Sequence, residues 1–220
     1  MEEEPMQRLL IAFLFFLLPL VTLGAKENHN PILKTKHWFE EEKQKSDRGF
    51  HRFATLSTVG PDGHPYSRMI EIVGMSQKNG ILFFTHRSTN KAQHLSVNPF
   101  AALNIWLPKT LRQVSINGSV KEVPHDIAQR SWKRMPRFMK ITFLASEHKG
   151  VLSSSDILED RKAKLEEAYK EREIPMPESF VGYRLTPDQV VFYEIKPRNF
   201  PERELVELEG NEWVTCQLEP

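Results

Sequence analysis

The sequence predicts a mainly β chain of the α+β class, an antiparallel β-barrel with helices packed at its ends. Three observations predict it. Short segments of alternating hydrophobicity recur after residue 52, Gly/Pro/Asn/Asp turn chemistry punctuates them, and a few helix-like stretches are inserted between them.

The elements follow in order. Residues 28–47 are polar with apolar Ile32, Leu33, Trp38 and Phe39, the pattern of an amphipathic lead-in helix. Residues 53–59 (FATLSTV) are strand-like, Pro61-Asp62-Gly63 is a turn, and residues 64–73 resume extended structure. Asn79-Gly80, a strong hairpin signal, leads into a strand over residues 81–85. A helix over 88–96 is capped by Ser88 or Thr89 and stopped by Asn98-Pro99. Strands at 100–107 and 111–123 flank Pro108, and 125–146 is helical in pieces interrupted at Pro136. Residues 156–172 carry Leu158, Leu165 and Tyr169 among charges, a helix with a solvated face. Short strands at 181–185, 189–195, 204–208 and 212–218 complete about eight or nine strands.

Composition excludes several classes. Of 220 residues, 40% are hydrophobic and 27% charged, which suits a folded chain. Thirty Lys+Arg against 29 Asp+Glu leave a net charge of +1, so no global field draws the chain to nucleic acid. The single cysteine, Cys216, excludes an internal disulfide framework and a Cys-cluster zinc site, and its place in the last strand suggests packing rather than nucleophilic chemistry. The eight histidines lack metal-ligand spacing, and no metal is expected. The chain contains no P-loop, GxSxG, HExxH or strand-borne GxGxxG.

The N-terminus departs from this average. Leu9 to Ala25 reads LLIAFLFFLLPLVTLGA, about 25 Å as a helix against a hydrocarbon core of ~30 Å. Pro19, Thr22 and Gly24 resemble the end of a secretory signal cut after Gly24 or Ala25, although MEEEPMQR lacks the usual positive charge. A cleaved signal, an uncleaved membrane anchor and a buried helix all remain open. The division expected is therefore 1–25 signal or anchor, 26–50 helical lead-in and 51–220 barrel domain, with a secretory or secreted location and membrane contact only through the first segment. Asn117-Gly118-Ser119 is a glycosylation sequon in a strand-like context, where a chance tripeptide is the simpler account.

One constellation suggests chemistry. Arg68 closes one strand, Thr85 lies on its neighbour, and Lys91 falls in the first turn of the following helix. Forked donors, a hydroxyl, a point charge and free helix N–H groups suit a phosphate. Each of these residues alone equally suits a solvated surface.

The order ATLSTVGPDGHPYSRMI, GILFFTHRSTNKAQHLSVNPFAALNIW, RQVSINGSV, VGYRLTPDQVVFYE and EWVTCQLEP resembles the pyridoxamine 5′-phosphate oxidase family from about Phe53 to Pro220. The resemblance implies an FMN-binding split barrel and a homodimer with flavins in clefts between subunits. It also implies oxidation of pyridoxamine or pyridoxine 5′-phosphate to pyridoxal 5′-phosphate with O₂. It assigns the cofactor positions to Arg68, Met69, Ile70, Phe84, Thr85, Lys91, Gln113, Tyr193 and Arg203, Tyr193 standing for a family tryptophan. Asn90 replaces an arginine before Lys91, and His148-Lys149 replace a Gln-Ser pair.

The family's substrate-binding lysine, tyrosine, arginine and serine fall on Val73, Ser131, Met135 and Met139. Its late arginine and histidine fall on Asn199 and Pro201. Arg134, Arg137, Lys140 and Arg198 lie one to three positions away, on other faces if the helices are regular. The resemblance therefore implies an FMN-dependent oxidoreductase whose vitamin B6 activity is weak. Action on another small molecule and a non-catalytic secreted barrel are the alternatives. No catalytic residue is assigned.

Overall fold

The computed structural model describes residues 30–46, 52–146 and 151–220. The hydrophobic segment before residue 26 and the pair His148-Lys149 lie outside these residues. The fold is an antiparallel split barrel, as the sequence predicts, with nine strands and five helices among the described residues.

Helix α1 (Pro31–Gln44) opens the described chain, with proline at its first position and the Asn30 side chain accepting from Ile32 N–H at 3.0 Å. Strands β1 (Phe53–Val59), β2 (Pro65–Glu71), β3 (Gly74–Ser76) and β4 (Gly80–His86) form a meander, followed by helix α2 (Asn90–Val97). Then come β5 (Phe100–Leu107), β6 (Arg112–Glu122), α3 (His125–Arg134), α4 (Arg137–Ala145) and α5 (Asp156–Ala168). The chain ends with β7 (Phe180–Glu194), β8 (Glu202–Glu209) and β9 (Glu212–Leu218).

The strands run β2-β1-β5-β6-β7-β4-β3, with β8 on β7 and β9 on β8. The segment between β2 and β3 curls the sheet shut at one end. Ile72 N–H donates to Arg52 C=O at 2.8 Å, and the next residue, Val73, donates to Leu82 C=O at 2.9 Å. Two strands expected at 181–185 and 189–195 are one, because β6 pairs continuously along both halves. A register shift at Asn117/Gly118 absorbs the Pro187 region, where no N–H is available for a regular ladder. A Cβ at Gly118 would fall 2.1 Å from Thr186 O, so this close approach requires glycine.

Alternation then sorts the side chains. Ala54, Leu56, Phe83, Leu103, Val114 and Phe192 point into the barrel, whose core also takes Ile32, Trp38 and Phe39 of α1 and Ala92 and Leu95 of α2. A second core lies outside β4 and β7, where Trp132 and Ile141 of α3 and α4 pack on Phe180. Buried Glu42 fastens α1 to the β5–β6 turn, accepting from the N–H groups of Lys109 and Thr110 at 2.9 Å each. Cys216, expected to pack, is exposed, because β9 is the free edge of the sheet.

Candidate functional site

The register Leu56↔Arg68 turns Arg68 toward the inner face of β2, next to the start of α2. Its Nη1 donates to Leu56 O at 3.1 Å and to Thr58 Oγ1 at 2.7 Å. The Thr58 hydroxyl lies 3.0 Å from His94 Nδ1. From β4, buried Thr85 accepts from Lys91 Nζ at 3.0 Å. Four elements, β1, β2, β4 and α2, thus converge on one cradle.

The expected cap of α2 is absent. Thr89 holds the N-cap position, but its hydroxyl donates backward to His86 O at 2.8 Å and caps nothing. Ser88 Oγ is buried and has no hydrogen-bond partner among the described residues. The first-turn N–H groups of α2 therefore keep their positive end uncapped beside Lys91 and Arg68.

The electrostatics of the cradle are those of a site awaiting an anion. Burial and then the neighbouring Arg68 push the Lys91 ammonium below the usual lysine value, and burial lowers Arg68. Several other cations are paired: Arg112 with Glu41 and Glu194, Arg87 with Glu122, Lys34 with Glu204. Among the described residues, no carboxylate bonds to Arg68 or Lys91. Two half-buried cations, two hydroxyls and a bare helix start fit the terminal phosphate of a nucleotide-like cofactor.

The remaining candidates are distributed elsewhere. Met69 points to the opposite face of β2 from Arg68, its sulfur 3.7 Å from Thr55 Oγ1, while Ile70 returns inward and is absorbed into the core. Gln113, Tyr193 and Arg203 form a row across β6, β7 and β8, through the pairs Gln113↔Tyr193 and Tyr193↔Arg203. That row lies on the outer face, since the adjacent Val114 and Phe192 face the core. Phe84, next to Thr85, also faces outward and stacks on Phe180 with centroids 4.8 Å apart. It fits there because Gly182 lies across from it, where a Cβ would meet the Phe84 ring at 2.5 Å. Thr58 and His94 were missed by the sequence reading. Only the alternation that buries 54, 56 and 58 hinted at the first.

Beside Phe84 lies a cleft of about 910 Å³ between α3, α4 and the β2–β4 edge. It gathers Val73, Ser131, Met135 and Met139, four of the positions where the substrate grip was expected, but neither Asn199 nor Pro201. Of the four neighbouring cations, Arg134 alone lines this cleft. Arg137 donates to Tyr169 O and Arg172 O, and Lys140 lies 5.8 Å from the Trp132 ring centre. Arg198 is exposed, with φ 68°. The expectation that Arg134 faces away from Met135 fails because α3 stops between them. Met135 is extended (φ −66°, ψ 133°), as a residue before proline prefers.

Comparison with known proteins agrees with this fold. The family profile described as pyridoxamine 5′-phosphate oxidase matches residues 41–194. A pyridoxine/pyridoxamine 5′-phosphate oxidase of Acaryochloris marina is 32% identical over 198 residues, covering 90% of each chain. One from Leptospira biflexa is 30% identical over 191 residues, covering 87% of this chain and 89% of its own. PhzG from Burkholderia lata 383, solved in complex with tetrahydrophenazine-1-carboxylic acid, is similar with a TM-score of 0.78 and 25% identity, over 87% of this chain and 93% of its own. A pyridoxamine 5′-phosphate oxidase-related, FMN-binding protein from Nostoc punctiforme shares the fold, with a TM-score of 0.68 and 18% identity over 85% and 95% of the chains.

Proposed function

The chain belongs to the pyridoxamine 5′-phosphate oxidase family, and we propose that it is an FMN-dependent oxidoreductase that holds the flavin phosphate on Arg68 and Lys91. The observation that carries this reading is the unpaired cation couple at the uncapped start of α2. A barrel without an anionic cofactor gains nothing from keeping two such charges together, whereas a phosphate relieves both their desolvation and their mutual repulsion. FMN, when bound, supplies the two-electron chemistry, taking electrons from an organic substrate and passing them to an acceptor such as O₂.

The protein's own residues orient and exclude. Arg68 is itself fixed by Leu56 O and Thr58, so its remaining fork is presented without further loss of freedom. Buried Thr85 holds Lys91 beside it. The outer row of Gln113, Tyr193 and Arg203 is separated from the cradle by the barrel wall. A flavin touching both sets therefore needs the row of a second copy, which supports a homodimer. Exposed Met69, Phe100 and Trp106 on that outer side supply apolar surface for the contact.

Vitamin B6 phosphates are expected to be poor substrates. Val73, Met135 and Met139 line the cleft where family members place charged or polar groups, and none of the three can match a phosphate. A second reading, turnover of a less anionic molecule, is favoured by this same lining. The test is the absorption spectrum of the purified protein, followed by titration with FMN. A flavin band released as FMN supports the reading. A colourless chain with no measurable FMN affinity overturns it.

A further inference from the structure

We infer that the cleft between α3, α4 and the β2–β4 edge selects a planar aromatic monoanion, a polycyclic carboxylate, with Arg134 reading the carboxylate. This names the substrate class of the proposed flavoenzyme and rests on that reading for its role in turnover, but the binding itself belongs to residues of this chain.

The walls decide the shape and polarity of the occupant. Phe84 and Phe180 lie nearly parallel, 7° apart, and Phe143 stands edge-on to Phe180 at 77°. Met135 and Met139 complete the lining with flexible, polarisable side chains that adapt to a ring edge. At about 910 Å³ the cleft lies near the upper end of small-molecule sites, roughly 300–1,000 Å³, so a fused ring system fits more readily than a single small ring.

The charges decide the head group. Among the described residues, the ionic side chains lining the cleft are Arg52, Glu71 and Arg134. Arg52 and Glu71 both line the β1–β2 end of the cleft and carry opposite charges. Arg134 stands across from them, at the end of α3, where its neighbour Arg130 is already taken by Asp126. The described ionic lining thus sums to one positive charge, which a carboxylate neutralises and a phosphate ester, with close to two negative charges, exceeds. A guanidinium also matches a carboxylate as a planar fork, giving two parallel hydrogen bonds.

Calorimetric titration of the purified protein, with and without added FMN, tests this with three probes sharing one ring: 2-naphthoate, 2-naphthamide and 2-naphthyl phosphate. The expected result is that the carboxylate binds about tenfold or more tighter than the neutral amide. Arg134→Gln should abolish that preference while leaving amide binding in place, and Arg130→Gln on the same helix should retain it. An unchanged preference in Arg134→Gln, no binding of 2-naphthoate to the wild type, or a phosphate that binds tighter than the carboxylate would each overturn the inference. A protein that prefers the carboxylate but takes up no FMN would support the cleft assignment and sink the flavoenzyme reading, so the two failures are told apart.

Discussion

Replacing Arg68 by alanine should weaken FMN binding roughly 10- to 150-fold, and the structure shows where that figure comes from. Of the five guanidinium hydrogens, about two are committed, both on Nη1, to Leu56 O and Thr58 Oγ1. The rest, on Nε and Nη2, remain for an anion, and a hydrogen-bonding group of this charged kind contributes about 1.5–3 kcal/mol. Lys91 has a weaker claim, because it is a point charge that already spends a donor on Thr85. The order of loss should therefore be Arg68→Ala first and Lys91→Ala second, with Arg68→Lys between Arg68→Ala and the wild type. Quenching of flavin fluorescence on titration with the apoprotein measures the dissociation constants. Melting curves guard against trivial unfolding, since the variant also loses its bond to Leu56 O. Equal affinity for wild type and Arg68→Ala would refute the reasoning, since the phosphate would then lie away from the cradle.

Other outcomes follow from the same contacts. Because the Lys91 value is depressed in the folded protein, the unfolded chain binds that proton more readily between the depressed value and the ordinary lysine value. Stability of the FMN-free protein should thus rise with pH through that alkaline window, FMN binding should weaken through it, and Lys91→Met should flatten both trends in melts and titrations. Glu42→Ala should cost about 3 kcal/mol, or a melting temperature lower by about 6–12 °C, because two backbone N–H groups and the Thr110 hydroxyl lose a buried acceptor. Trp106→Glu, which places a charge on the exposed side of β5, should shift a sedimenting dimer to monomer at micromolar concentration; a wild type that is already monomeric there would contradict the dimer.

Much of the barrel was legible because its turns are written locally. Gly63 and Gly80 have φ values of 78° and 64°, so Asp62-Gly63 and Asn79-Gly80 could be read as turns without knowing what they join. The meeting of Arg68, Thr85 and Lys91 was foreseen for a different reason, since the end of β2, β4 and the first turn of α2 are close in the order of elements. The partnership of Thr58 with His94 was not legible, because it depends on the β1–β2 register and on where α2 settles, neither of which is local. The fusion of two predicted strands into β7 was hidden in the same way. Pro187 marks a break in its own segment, and only the continuous β6 beside it carries the ladder past that point. Arg134 was misread from a rule applied beyond its range. Helical spacing separates adjacent side chains by about 100°, but the spacing ends at Met135, and the following proline already announced that ending.

The arrangement also accounts for how the cradle and the cleft can change separately. Thr85 and Phe84 are consecutive on β4, and the pleat sends them to opposite faces, Thr85 into the cradle and Phe84 into the cleft. The cradle is built from β1, β2, β4 and α2 inside the barrel, whereas the cleft takes its distinctive residues from α3 and α4 outside it. Substitutions along the α3–α4 turn therefore change charge and shape in the cleft while the barrel wall stands between them and Arg68. Two sites that share β2 and β4 but use opposite faces of them can diverge independently. A cleft lined by apolar groups and Arg134 can then stand beside a cradle that holds Arg68 and Lys91.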